Sequence, residues 1–401
     1  MTTDNHWEKE VFGTVCSDNA KEFQRLLATN HNFSFRFRGD WIDGDVIDIY
    51  QKSVAEVVVI KNALQIGEVF FGMEGVEAQF EYKAAIAYAV LFGTPDMIRL
   101  MVRKGFDPNK KRHTEPPLLI AAIKWDFEAC EAMMASGQCN PYVKDQYGRV
   151  EKEDRPLCEA ARQGGLDIVK LIVEFKKDKR TLVRAAIVAA NNGHEEVALY
   201  LLDQLANGRK KGSTQDYPYH IIIPAARHEM MRIVERLIKE EPRTLHLVNA
   251  NETALSVACK YNKINLAKYL ISQGSDVHAT DESKYYVYTG SEFIECGAEE
   301  LWNSPYAPPP HAHEMKIALP LSRESPSSPL AEAAASGNLE IVELLIANGV
   351  GPETAYMKSA RRPGLKLEMT YDVPAIELAR HFGHTSVVDY LSKTRAINES
   401  R

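Results

Sequence analysis

Hydrophobic positions along the chain fall in short blocks that alternate between two patterns. One block is rich in small residues, often an adjacent pair such as Ala160-Ala161 or Ala333-Ala334. The next repeats large apolar residues at i, i+3 and i+4, as Ile341, Leu344 and Leu345 do, which is the period of a helix with one buried face. A turn separates the two blocks, frequently at glycine (Gly93, Gly164, Gly193, Gly337, Gly383), where a tight helix-to-helix reversal needs positive φ. Each pair of blocks predicts two short helices. Helices under about 12 residues are marginal in water, so the pairs must stack to survive, and the chain should fold as an array.

The unit recurs from end to end. Its clearest copies are Pro329–Gly349 (PLAEAAASGNLEIVELLIANG), Pro156–Glu174, Thr253–Gly274 and Pro374–Leu391. Weaker copies start at Ala84, Pro117, Ala185 and Ile221, and a terminal copy starts at Val11. The turn glycine is replaced by Trp125, Glu229 and Asn262. A bulky side chain in a left-handed turn costs about 1–2 kcal/mol, so Trp125 is expected to avoid that conformation and to lie over helix ends or a neighbouring loop.

The pattern resembles the ankyrin repeat, in a diverged array of about nine units. Gly105-Phe106-Asp107-Pro108-Asn109 and Gly274-Ser275-Asp276-Val277-His278 match the family's G-A-D-P-N ending, and Gly193-His194 and Gly383-His384 match its G-H turn. The T-P-L-H tetrapeptide of the family is nowhere intact; Pro116–Leu119 and Ser328–Ala331 come closest. The resemblance implies an all-α solenoid of stacked helix pairs, with hairpin loops projecting as fingers and no β-sheet core. It divides the chain into an N-terminal capping repeat (1–30), an atypical insert (31–82), repeats (83–280), an aromatic and Pro-rich insert (281–327) and C-terminal repeats (328–401).

The two long inserts change the picture. Residues 31–82 show no clear repeat and carry Phe33, Phe35, Phe37, Trp41, Phe70, Phe71, Phe80 and Tyr82, with a possible helix over Val54–Ile66. Residues 281–327 hold Tyr285, Tyr286, Tyr288, Phe293, Trp302 and Tyr306 before a Pro/Ser tract. Disordered segments are poor in aromatics, so partial order against the stack is expected there. The flanking repeats are each complete and could stack on one another directly. A shorter insertion spans 353–372.

Composition narrows function. The chain has 401 residues, 45% apolar and 26% charged, and a net charge of -7, which argues against sequence-independent nucleic-acid binding. No apolar run approaches the roughly 20 residues that span a bilayer, and the N-terminus reads as no signal peptide. Six scattered cysteines without a C-x-x-C pair suggest reduced thiols in the cytoplasm or nucleus.

Catalytic signatures are missing. Gly208–Ser213 has the wrong spacing for a phosphate loop, and His194-Glu195, His228-Glu229 and His313-Glu314 are followed at the fifth position by Ala198, Arg232 and Ile317, so no zinc helix closes. Asp40, Asp43, Asp45 and Asp48 could hold a divalent cation or form an acidic surface loop, and His311 with His313 could join a metal or sit in a solvated loop. No cofactor or metal is assigned. Basic runs at Lys110-Lys111-Arg112, Lys176–Arg180 and Arg209-Lys210-Lys211 either line up for an acidic partner or are solvated loops.

The expected function is a non-catalytic scaffold or adaptor, monomeric, that binds a protein through the concave face and fingers, with no nucleic acid and no membrane. Tyr285, Tyr286, Tyr288, Trp302, Tyr306, Lys110, Lys111, Arg112, Arg209, Lys210 and Lys211 are the candidate contacts. The alternative is an enzyme or small-ligand binder whose site lies between the array and the aromatic inserts.

Overall fold

The computed structural model describes residues 4–29, 35–37, 51–80, 84–112, 115–142, 156–175, 177–207, 217–249, 252–278, 284–289, 292–297, 328–352, 355–359 and 370–399. They form two compact units, residues 1–178 and 179–401. In the first, helix pairs are α1 (Asp4–Cys16) with α2 (Ala20–Thr29), α3 (Val54–Ile60) with α4 (Leu64–Phe70), α5 (Ala85–Phe92) with α6 (Pro95–Arg103), α7 (Pro117–Ile123) with α8 (Phe127–Met134), and α9 (Pro156–Gln163) with α10 (Leu166–Phe175). In the second they are α11 (Lys179–Asn191) with α12 (Glu195–Ala206), α13 (Ile222–Arg227) with α14 (Met231–Glu240), α15 (Ala254–Lys260) with α16 (Ile264–Ser272), α17 (Pro329–Ser336) with α18 (Leu339–Ala347), and α19 (Ala375–His381) with α20 (Thr385–Glu399). The only sheets among the described residues are two antiparallel hairpins, β1 (Lys284–Tyr288) with β2 (Phe293–Gly297) and β3 (Ala355–Ser359) with β4 (Thr370–Pro374).

All nine copies read from the sequence are helix pairs, and α3 with α4 is a tenth, inside the stretch read as an insert. The chain breaks at Asn62 (φ 52°), so Val54–Ile66 is two helices rather than one. Four aromatics of that stretch are core: Phe37, Phe70, Phe71 and Phe80 are buried, and Phe71 and Phe80 meet Phe106 edge-on at 5.6 and 5.9 Å, while Phe33, Trp41 and Tyr82 lie outside the described residues.

First helices stack on first helices through their small residues, and second helices on second helices. Ala121, Ala160, Ala161, Ala185, Ala186, Ala225, Ala226, Ala333 and Ala334 are all buried at these contacts. α15 packs directly on α17 although residues 281–327 intervene, and Lys268 of α16 pairs with Glu340 of α18 at 3.0 Å. Leu345 is fully buried against this stack, while Leu344 is half-buried.

The turn between paired helices is left-handed in nine of the ten described pairs, at Asp18, Asn62, Trp125, Gly164, Gly193, Glu229, Asn262, Gly337 and Gly383; Gly93 is the exception. The expectation for Trp125 is corrected: it adopts φ 56° and is 60% exposed. The physical reason lies in the backbone. The residue after each left-handed position donates its N–H to a carbonyl five residues back, and that acceptor is an alanine in seven turns: Ala121, Ala160, Ala189, Ala225, Ala258, Ala333 and Ala379. This bond closes the helix C-terminus and outweighs the strain of one side chain at positive φ. The indole of Trp125 lies along Gly165 of the next turn, where a Cβ would come within 3.1 Å of the ring nitrogen.

Side chains at the same turns reach the preceding repeat. Lys124 Nζ donates to the Val90 carbonyl at 2.8 Å, Gln163 to Ile123 at 3.0 Å and Ser336 to Cys259 at 3.3 Å; His228 and His384 bond the Asn191 and Ala335 carbonyls at 3.0 Å. Each fills an acceptor left open at the end of a first helix.

One buried group has no such partner. His220, in the short 3-10 turn Tyr219–Ile221 before α13, is 8% exposed, and neither ring nitrogen has a hydrogen-bond partner among the described residues. Burial disfavours the imidazolium and pushes the pKa down to about 4.

Three outcomes follow from this packing. Leu345→Asp buries an unpaired carboxylate and should cost several kcal/mol, seen as loss of helical circular dichroism and a lower melting temperature; an unchanged melt would place Leu345 at the surface. Glu229→Gly relieves a non-glycine residue at φ 56° and loses only a half-buried, long ion pair with Lys263 at 3.6 Å, so urea unfolding should show a gain of about 1 kcal/mol. His220 must stay neutral in the fold, so its contribution is complete above the unfolded pKa of about 6.5 and is lost as pH falls from there toward 4, amounting to about 3 kcal/mol. His220→Phe should flatten that part of the stability–pH curve, measured by urea unfolding between pH 7 and pH 4.

Candidate interaction surface

The β1–β2 hairpin is built into the second unit by aromatic contacts. Tyr217 and Tyr219 precede α13 and are both buried, with ring centroids 4.9 Å apart. Tyr219 meets Tyr288 of β1 at 5.3 Å and Phe293 of β2 at 5.2 Å, and those two rings lie 5.0 Å apart. Tyr288 and Phe293 are directly opposite in the hairpin, which puts both rings on one face. The Arg243 guanidinium sits 4.7 Å from the Phe293 centroid. Glu241 holds it in place through two bonds of 2.7 Å, and this fork keeps the Glu241 carboxyl below its usual range. The backbone joins as well: Val248 N–H donates to the Tyr286 carbonyl at 2.9 Å, so β1 lies between β2 and the segment Leu247–Val248.

The sequence-predicted contacts fare differently. Tyr288 is 6% exposed and anchors the hairpin to its own chain. Tyr286 is half-buried, and its hydroxyl donates to Glu295 at 3.3 Å. Tyr285 lies in β1, with its side chain outside the described residues. Trp302, Tyr306, Arg209, Lys210 and Lys211 also fall outside them, as do the Asp40–Asp48 cluster and His311 with His313. In the first unit Lys110 pairs with Glu77 at 2.5 Å, Lys111 is half-buried, and the backbone of Arg112 bridges to Glu115. The described parts of the predicted set therefore belong to two units. Tyr217, Tyr219 and Arg243 are the residues that sequence reading passed over. Their signal was a Tyr-Pro-Tyr run ahead of a repeat, with matching aromatics in the insert.

Among the described residues no three His, Cys, Asp or Glu side chains converge as a metal site. The described helices include none long and apolar enough to cross a membrane.

Known proteins share the repeat. A family model described as ankyrin repeats in three copies matches residues 118–215 and 188–281. The chain is 24% identical over 314 residues to the ankyrin repeat and KH domain-containing protein mask-1 of Caenorhabditis elegans, a match covering 70% of this chain and 10% of that protein. It is 23% identical over 328 residues to the ankyrin repeat and KH domain-containing protein CBG24701 of Caenorhabditis briggsae, covering 77% of this chain and 11% of that one. The chain thus spans about a tenth of the length of these relatives. The solved ankyrin repeat domain of human ASB11 is similar at a TM-score of 0.42 and 19% identity, covering 70% of this chain and 98% of that one. Residues 118–281 match ankyrin repeats, and paired short helices, alanine-lined contacts and left-handed turns recur on both sides of that stretch.

Proposed function

We propose that the protein is a non-catalytic scaffold that binds a protein partner through the concave face and fingers of its repeats, with the insert 281–327 supplying part of the contact. Ankyrin repeats generally mediate protein–protein interaction, and a stacked array offers a long open surface for it. The observation that carries the reading is the direct packing of α15 on α17: the insert is not required to complete the stack between them. Its first part is fastened by Tyr288 and Phe293, so Tyr286, Trp302 and Tyr306 are the residues assigned to the partner, with Arg209, Lys210 and Lys211 as a second, basic group. Aromatics at such positions are where single truncations cost 2 kcal/mol or more. A location in the cytoplasm or nucleus fits the buried thiols of Cys130, Cys139 and Cys259, which form no disulfide.

The test is to replace 298–327 by a Gly/Ser linker, leaving the docked hairpin intact. Helical content and melting temperature should be unchanged. The set of proteins recovered by affinity purification from the native cell, quantified by mass spectrometry against the full chain, should lose specific members, and Trp302→Ala should reproduce part of that loss. An identical set from both chains would make the insert dispensable. A turnover abolished by Trp302→Ala would instead establish the enzyme reading.

A further inference from the structure

The turns of the first unit carry a surface of their own. Phe92, Ile123 and Trp125 are large apolar side chains at two successive turns, and they are 47%, 46% and 60% exposed. Lysines surround them. Lys52 Nζ lies 5.6 Å from the Phe92 centroid and 5.4 Å from that of Tyr88. Lys124 reaches over the same turn to the carbonyls of Val90 and Leu91. Lys61 precedes the left-handed Asn62, whose side chain accepts from Thr94 at 2.6 Å, so it stands one turn before Phe92 in the same row.

The charges of this row are unmatched. Among the described residues none of Lys52, Lys61 and Lys124 is in an ion pair. Several other cations of the unit are paired: Arg99 by Asp96 and Glu131, Arg103 and Lys104 by Glu68, Lys110 by Glu77. Three ammonium groups without a carboxylate partner, beside an exposed aromatic and aliphatic row, form a local positive and apolar patch on a chain of net charge -7; that of Lys124 donates to backbone carbonyls and that of Lys61 stands 5.8 Å from the Phe12 ring centroid. From this juxtaposition we infer that the turn row Lys52–Lys61–Phe92–Ile123–Lys124–Trp125 docks an acidic polypeptide segment that also bears aromatic or branched aliphatic side chains.

Carboxylates would meet the lysines, and the apolar side chains would cover Phe92, Ile123 and Trp125. A nucleic acid is the poorer match, because its charge lies on every nucleotide and three lysines neutralise few phosphates. The inference rests on the scaffold reading only in taking a polypeptide as ligand; it uses different residues in a different unit.

The probe is a fluorescein-labelled twelve-residue peptide of alternating Glu and Leu with one central Trp, titrated with the full chain by fluorescence anisotropy at low and high salt. It should bind, and the peptide with Lys in place of Glu should not. The triple variant Lys52→Gln, Lys61→Gln, Lys124→Gln should weaken binding at least tenfold with an unchanged melting curve. Gln163 already performs the carbonyl contact of Lys124 at the next turn, so Gln at 124 keeps that bond. Phe92→Ala with Trp125→Ala should weaken binding by a similar factor. The chain with 298–327 replaced should bind the peptide normally, which separates this surface from the insert. Absence of binding, or binding indifferent to the lysine substitutions, overturns the proposal. So does tighter binding of a twelve-nucleotide oligouridine, or binding that appears only after Asp40, Asp43, Asp45 and Asp48 are changed to Asn.

Discussion

No first helix between α13 and α19 could persist by itself. α13 has six residues, α15 and α19 have seven and α17 has eight, all below the length at which isolated helices hold in water. Their stability comes from the neighbour on either side, and this need governs what the sequence can contain. The alanine at the contact is small enough for the helices to approach closely and costs no side-chain entropy on burial. A larger residue would separate the stack, and a polar one would lose its solvation. The recurrence of Ala-Ala is thus the mark of interfaces that must be close before any helix forms.

Short helices also leave a large share of their backbone unpaired, since the last four carbonyls of any helix lack partners within it. Here the next repeat supplies them. Lysine, glutamine, serine and histidine all perform this contact, at Lys124, Gln163, Ser336, His228 and His384. A carbonyl accepts from any donor that reaches it, so the residue type is free while the geometry is fixed. The lost T-P-L-H tetrapeptide and missing turn glycines have the same explanation. The Trp125 and Glu229 turns keep their φ because the bonds to Ala121 and Ala225 hold it, at a cost near 1–2 kcal/mol for each side chain.

These constraints explain what was legible in the chain. Repeats with alanine pairs and turn glycines, such as 156–174 and 329–349, stand out because the contact selects those residues. The α3–α4 pair was legible only as one helix over Val54–Ile66: its first helix carries a run of valines, Val57-Val58-Val59, of strand propensity in place of an alanine pair, and its turn is Asn62 rather than glycine. Burial in the stack overrides that propensity. Trp125 was misjudged because a local steric cost was weighed without the backbone bonds opposing it. In the insert the aromatics were visible, but Tyr288 and Phe293 could not be told from surface residues until Tyr219 and Arg243 stood opposite them.

The position of the inserts follows from the same stack. Because α15 and α17 are held together by their own faces, the chain between them must only begin and end near one place. The entropy of closing such a loop grows slowly, by about 0.6 kcal/mol for each doubling of length. Burying one aromatic side chain such as Tyr288 contributes about 2 kcal/mol, more than several doublings cost once Phe293 is added. A hairpin docked next to the repeat therefore offsets the length of the segment that follows it, and it does so without touching the alanine contacts. Inserts of this kind can change in sequence while the stack stays intact, which is the freedom a binding surface needs and a packed interface lacks.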